Sequence, residues 1–259
     1  MTQAERRMFL IRSLMKEKTE YHNLRVPQDD EGQRQLLRGL MNVRPPKAVD
    51  EDFQSVQDAY LQQELAEQGI IRVADLQPIC GNLYLWQGDI TRLQCGAIVN
   101  AANSGMTGCY IPCHACIDNC IHTYAGIQLR LACAAQMEQQ GTEEPVGRAK
   151  ITKAYNLPCD YVLHTVGPMI HGRVRKRDEK LLASCYRACL RLAAQNGVES
   201  LAFCCISTGV FQFPNARAAE IAVETVQRYQ AETDGKMKVV FNVFKDQDRE
   251  IYEQLLRTD

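Results

Sequence analysis

The apolar positions of this chain change period once, near residue 70. Before it they recur at three- and four-residue intervals: Phe9, Leu10 and Ile11 with Leu14 and Met15, Leu36 and Leu37 with Leu40 and Met41, then Phe53, Val56, Tyr60 and Leu65. That is the spacing of one buried helical face, and Pro27 and the pair Pro45-Pro46 punctuate it. Residues 1–69 therefore predict three amphipathic helices, an N-terminal helical extension lying as a cap or lateral layer, with its boundary near Gly69. The segment holds no chemical motif and is short for burying a core of its own, which weighs against a separate functional domain.

From residue 70 onward short strand-like runs alternate with helical ones. Strands are predicted over 70–73, 83–86, 97–99, 150–155, 161–166, 201–207 and 238–244, and helices over 117–140, 179–196, 215–229 and 248–257. This alternation predicts an α/β fold with helices on both faces of a sheet. In such folds the loops beyond the carboxyl ends of the strands build the ligand crevice. One of these loops stands out: residues 105–122 read G-M-T-G-C-Y-I-P-C-H-A-C-I-D-N-C-I-H, with four cysteines and two histidines.

Composition narrows the function classes. With 259 residues, 46% hydrophobic and 24% charged, the chain is long enough for one α/β core and a small appendage. A net charge of −1 supplies no basic stripe for nucleic acid, and a membrane surface is no better partner. Arg12, Lys16 and Lys18 break the first apolar run, so neither a signal peptide nor a membrane span is predicted and a cytoplasmic location is expected. The twelve cysteines then read as reduced thiols. Cys133, Cys185, Cys189, Cys204 and Cys205 fall on apolar helical or strand positions, where a free cysteine packs as a small hydrophobe.

Two further polar turns follow predicted strands. Ser207, Thr208 and Gly209 offer hydroxyls and a close backbone approach ahead of a helix, the makings of a phosphate cradle, although a Ser-Thr-Gly turn alone is as often ordinary. Asp89 follows the strand at 83–86, where an aspartate is commonly a turn or cap residue. Read in order, Gln87-Gly88-Asp89-Ile90-Thr91, Ile98-Val99-Asn100-Ala101-Ala102-Asn103 and Ile206-Ser207-Thr208-Gly209-Val210-Phe211 with Pro214 resemble the motifs of macrodomains, which bind ADP-ribose. The resemblance covers residues 70–259 and implies a three-layer α/β/α fold with a mixed central sheet. Many macrodomains carry a glycine-rich run after the second motif. Cys109, Cys113, His114 and Cys116 stand there instead, which resembles the zinc-containing macrodomains associated with microbial sirtuin-type ADP-ribosyltransferases.

The resemblance implies roles residue by residue. Asp89 would accept from the adenine amino group with the Ile90 backbone beside it; Ser207, Thr208, Gly209, Val210 and Phe211 would wrap the diphosphate, with Phe211 against the distal ribose; Asn103 would bond that ribose. Phe244 would cover the adenine, or else join the core. Gln212 stands where related loops often carry glycine. Asp118 matches an aspartate that hydrolytic macrodomains of the MacroD type place beside the distal ribose, and it is also a natural N-cap for the helix it opens. His122, one turn later, reads as structural, and His164 and His171 give no constellation.

The metal reading also stands on the residues themselves. Cys109, His114 and Cys116 form C-x-x-x-x-H-x-C, and three such ligands leave a zinc ion one open position. Cys113 competes through a C-x-x-C pair with Cys116, and all four side chains would close a structural site. Neighbours in an extended loop point apart, which together with the resemblance favours His114 over Cys113, and one zinc per chain is expected.

Taken with the metal reading, the resemblance implies a zinc-dependent hydrolase that removes mono-ADP-ribose from proteins, with Asp118 and Asn103 in the chemistry. The resemblance further implies a lipoyl-carrier protein as substrate. The alternatives are a non-catalytic ADP-ribose reader with a structural zinc, and a hydrolase of a free ADP-ribose derivative.

Overall fold

The computed structural model describes residues 1–21 and 23–257. The N-terminal pattern forms helices α1 (Gln3–Met15), α2 (Asp30–Val43) and α3 (Glu51–Gln68). Each starts at a polar cap, Thr2, Asp29 and Asp50, whose side chain accepts a backbone N–H of the first turn. Their apolar faces meet in a cluster built on Leu10, Ile11, Leu14, Leu37, Leu40, Phe53 and Leu61, which Ile127 joins from the rest of the chain. Gly69 closes α3 in the left-handed half of backbone space, φ 82°.

Beyond it come β1 (Ile71–Arg72), β2 (Leu83–Gln87), β3 (Leu93–Gln94), β4 (Ala97–Ala102), α4 (Ile117–Ala125), α5 (Ile127–Gln140), β5 (Ala149–Lys153), β6 (Tyr161–Val166), α6 (Lys176–Gln195), β7 (Ser200–Phe203), α7 (Asn215–Glu232), β8 (Lys238–Val243) and α8 (Asp246–Arg257). Six strands form one sheet in the order β2-β8-β7-β4-β6-β5, with β1 and β3 paired apart. Only the edge strand β5 runs antiparallel within the six, so the sheet is mixed. β4 and β6 are buried almost throughout, as strands covered on both faces must be. Among the described residues no helix is long and apolar enough to cross a membrane.

Two elements differ from the sequence reading in ways that bear on the site. The predicted helix over 117–140 is two helices, because Gly126 sits at φ 91° and turns the chain between them. Gly126 has no side chain to cap α5, and Gln57 of α3 does it instead, Oε1 accepting the Ile127 N–H at 3.0 Å. The predicted strand over 201–207 ends at Phe203. β7 pairs with β4 only through Ala97–Leu201 and Ile98–Ala202, after which no ladder joins the two strands. The chain order reverses across this pair, because β6 continues to β7 on the other side of β4. Such a switch point is where an open α/β sheet leaves a crevice.

Candidate functional site

Four parallel strands, β2, β8, β7 and β4, bring their carboxyl ends to one edge of the sheet. Asp89 follows β2, Phe244 follows β8, the loop with Ser207 follows β7, and Asn103 with the cysteine-rich loop follows β4. The lateral order is therefore Asp89, Phe244, Ser207, Asn103. Phe244 is 76% exposed, which removes its core alternative. Asp89 caps a 3-10 turn over Ile90–Arg92, with Oδ1 accepting the Thr91 N–H at 2.9 Å and its hydroxyl at 2.7 Å. Ile90 itself is buried.

The loop after β7 is held by its own backbone. The Phe213 N–H donates to Ser207 O at 2.9 Å and the Gln212 N–H to Gly209 O at 3.0 Å. Ser207 and Gln212 both have positive φ, 66° and 56°, conformations that glycine adopts without cost. Gln212 in that region explains why glycine suits related loops. A Cβ on Gly209 would meet nothing within 4 Å, and Val210 is 65% exposed, so this stretch faces open space. Ser207 is the reverse: buried, its Oγ unpaired, and so close to Gly167 that a Cβ there would lie 2.0 Å from it. Thr208 donates its hydroxyl to Cys205 O at 3.0 Å, and Phe211 packs on Ala102, Met106 and Val166 beside the end of β4.

The cysteine-rich loop brings Cys109, His114 and Cys116 together. One ligand atom of each lies within 4.8 Å of the others, with Cys109 Sγ 3.5 Å from His114 Nδ1. Cys116 is the N-cap of α4, its Sγ accepting the Asn119 N–H at 3.4 Å. Cys113 faces elsewhere, exposed, its Sγ donating to Gln35 O at 3.3 Å. Alternation along an extended loop is not the cause. The His114 N–H bonds to Ile111 O, with Pro112 second and Cys113 third at φ 54°, the pattern of a type II turn.

Asp118 is the second residue of the helix that Cys116 caps, so the N-cap alternative for it does not hold. It is 5% exposed. Its Oδ1 accepts from Asn100 Nδ2 at 2.8 Å, and Asn103 Nδ2 approaches Oδ2 at 3.4 Å. Burial raises its carboxyl to about 6, against the Asn100 hydrogen bond and the Arg130 charge, which lower it. Asn103 also knits the loop, donating to Gly108 O at 3.1 Å and accepting the Gly105 N–H at 3.0 Å. Gly108, at φ 87°, passes so near His122 that a Cβ would sit 2.9 Å from the ring.

His164 belongs to this constellation, against the sequence reading that placed it in none. Its strand register sets it beside Asn100, whose Nδ2 donates to His164 Nδ1 at 3.2 Å. That leaves the proton on Nε2, 2.9 Å from Thr152 Oγ1. One amide thus spans Asp118 and His164 and has its orientation fixed by both. His122, Cys133 and His164 also converge, but both His164 nitrogens are already engaged, and the His122 ring nitrogens have no hydrogen-bond partner among the described residues, Nε2 lying 3.6 Å from Asp118 Oδ1. Burial holds His164 down to about 3 and His122 well below its ordinary value, so both are neutral in the fold.

A pH dependence of stability follows. As pH falls through 6.5 the unfolded chain protonates these two histidines and the folded chain does not, so stability is lost. Asp118, raised above its unfolded value, takes up its proton first in the folded state and offsets part of the loss. Urea unfolding in chelator should show a net loss on the order of 2 kcal/mol between about pH 7.5 and about pH 5.5. Equal stability at the two pH values would mean that the histidines carry charge in the fold.

Comparisons with known proteins bear on the family and the fold. A family model described as Macro domain matches residues 99–222. A Treponema medium protein named protein-ADP-ribose hydrolase is 58% identical over 99% of this chain and 100% of its own length. A Fusarium oxysporum protein named probable bifunctional ADP-ribose hydrolase/ADP-ribosyltransferase is 37% identical over 85% of this chain and 40% of its own length. The Trypanosoma brucei macrodomain solved in complex with ADP-ribose superposes with a TM-score of 0.65 at 29% identity, over 81% of this chain and 92% of that one. By whole-length identity to its relatives and by fold, the chain belongs to the macrodomain family.

Proposed function

We propose that this protein is a zinc-dependent hydrolase that releases mono-ADP-ribose from modified proteins and reverses sirtuin-type ADP-ribosylation. The observation that carries the reading is the meeting, after β4, of a buried carboxylate held by two amides and a Cys-His-Cys set, beside an open loop suited to a diphosphate. The Treponema relative's name supports the reaction, and the Fusarium relative's name, probable bifunctional ADP-ribose hydrolase/ADP-ribosyltransferase, sets such an activity beside a transferase. By resemblance, the acceptor is a lipoyl-carrier protein in the cytoplasm.

Cys109, His114 and Cys116 suit zinc, being two thiols and an imidazole with a fourth position left open. Bound there, zinc supplies Lewis-acid polarisation of an oxygen on the distal-ribose side. This chain's residues do the rest. Asp118, largely ionised at neutral pH, orients or deprotonates the attacking group, and Asn100 and Asn103 hold it in place. The loop from Ser207 to Phe211 keeps the diphosphate fixed, so that the scissile bond stays in register. Asp89 binds adenine at the far end.

The test is incubation with a defined mono-ADP-ribosylated protein and measurement of free ADP-ribose. Release supports the hydrolase, whereas tight binding of ADP-ribose with no release would leave a reader. The adenine assignment has its own check. Asp89→Ala should cost on the order of 1 to 3 kcal/mol in ADP-ribose affinity and little for ribose phosphate, which lacks the amino group. Calorimetry showing unchanged ADP-ribose affinity in the folded variant would refute it.

A further inference from the structure

The N-terminal layer reaches the Cys-His-Cys loop with polar side chains as well as apolar ones. Arg38, on α2, directs Nη2 at His114 O (2.9 Å), Asn119 Oδ1 (3.1 Å) and Cys120 Sγ (3.5 Å). Asn119 is the knot of the loop. Its backbone N–H donates to Cys116 Sγ at 3.4 Å, and its Nδ2 donates to Ile111 O at 2.9 Å and reaches Cys109 O at 3.5 Å. One turn after Arg38, on the same face of α2, Asn42 accepts the Cys113 N–H at 2.9 Å and donates to Thr123 Oγ1 at 2.9 Å. An otherwise irregular loop is thus held at both flanks by one helix of another layer.

We propose that Arg38 is a positioning residue for the metal centre, acting through Asn119 and the His114 carbonyl, and that the N-terminal layer is thereby part of that centre. The inference rests on the reading of Cys109, His114 and Cys116 as metal ligands. The guanidinium fork is rigid and always charged. It fixes the carbonyl of His114 and the side-chain amide of Asn119, whose Nδ2 in turn bonds Ile111 O and reaches Cys109 O. Partners that orient ligands in this way typically change metal affinity by about 10- to 100-fold when removed.

The experiment uses the full chain, with zinc affinity measured by competition against a chromophoric chelator and ligand geometry read from the visible bands of the cobalt-substituted protein. Arg38→Ala should bind zinc about 10- to 100-fold more weakly than wild type and show altered cobalt bands, with Arg38→Lys between the two. Leu14→Ala, which loosens the same layer away from the loop, should lower the melting temperature and leave zinc affinity within about threefold. If Arg38→Ala does not fold, Arg38→Lys carries the test alone. Zinc affinity and cobalt bands equal to wild type in the folded Arg38 variants would overturn the inference while leaving the ligand set intact. A wild-type protein that binds neither zinc nor cobalt would overturn the ligand reading itself, and this inference with it.

Discussion

Asp118→Ala is expected to keep its metal and its ADP-ribose binding while turnover of a mono-ADP-ribosylated protein falls by roughly a hundredfold or more, the scale of losing a positioned acid or base. The carboxylate lies on the metal side of the crevice, in the connection after β4, which is three strands across the sheet from the β2 that Asp89 follows, so adenine and diphosphate contacts are expected to survive its removal. The helix does not lose its cap, because Cys116 supplies it. Stability should change little. Asn100 Nδ2 loses one acceptor, a cost on the order of 1 kcal/mol, but a carboxylate that burial disfavours goes with it. A folded Asp118→Ala protein with turnover equal to wild type would remove Asp118 from the chemistry.

His114→Ala should lower zinc content sharply from about one ion per chain, the content that a three-ligand single-ion site implies, whereas Cys113→Ala should retain it. The contrast tests geometry as much as composition. The two residues are neighbours, but the left-handed turn at Cys113 aims its thiol at Gln35 on α2 and leaves His114 Nδ1 beside Cys109. Free, the Cys116 thiol is pushed up to about 12 by burial, so zinc must displace a proton there and its affinity should weaken as pH falls. Retention of zinc by His114→Ala together with its loss from Cys113→Ala would reverse the assignment.

What the sequence made legible follows from the range of each signal. Strand alternation and short polar turns are local, and the strand at 161–166 and the motif residues Asp89, Asn103 and Ser207 were readable because each motif is contiguous. Strand ends were less so. Cys204 and Ile206 are as buried as a strand would make them, yet they leave the ladder where β7 parts from β4. His164 looked inert because its role depends on register with Asn100, 64 residues away. The N-terminal segment held no motif because Arg38 and Asn42 act on a loop more than 70 residues distant, through ordinary side chains on an ordinary helix. The backbone at Cys113 was hidden for another reason: φ near 54° is rare for cysteine, and only the preceding proline hinted at a turn.

Metal-dependent hydrolysis is tested by single-turnover release of ADP-ribose from a mono-ADP-ribosylated protein by the same preparation as purified, after chelation, and after zinc is restored. Release, its loss in chelator and its recovery with zinc are expected, with ADP-ribose binding much less affected throughout. Release that continues undiminished in metal-free protein would contradict it.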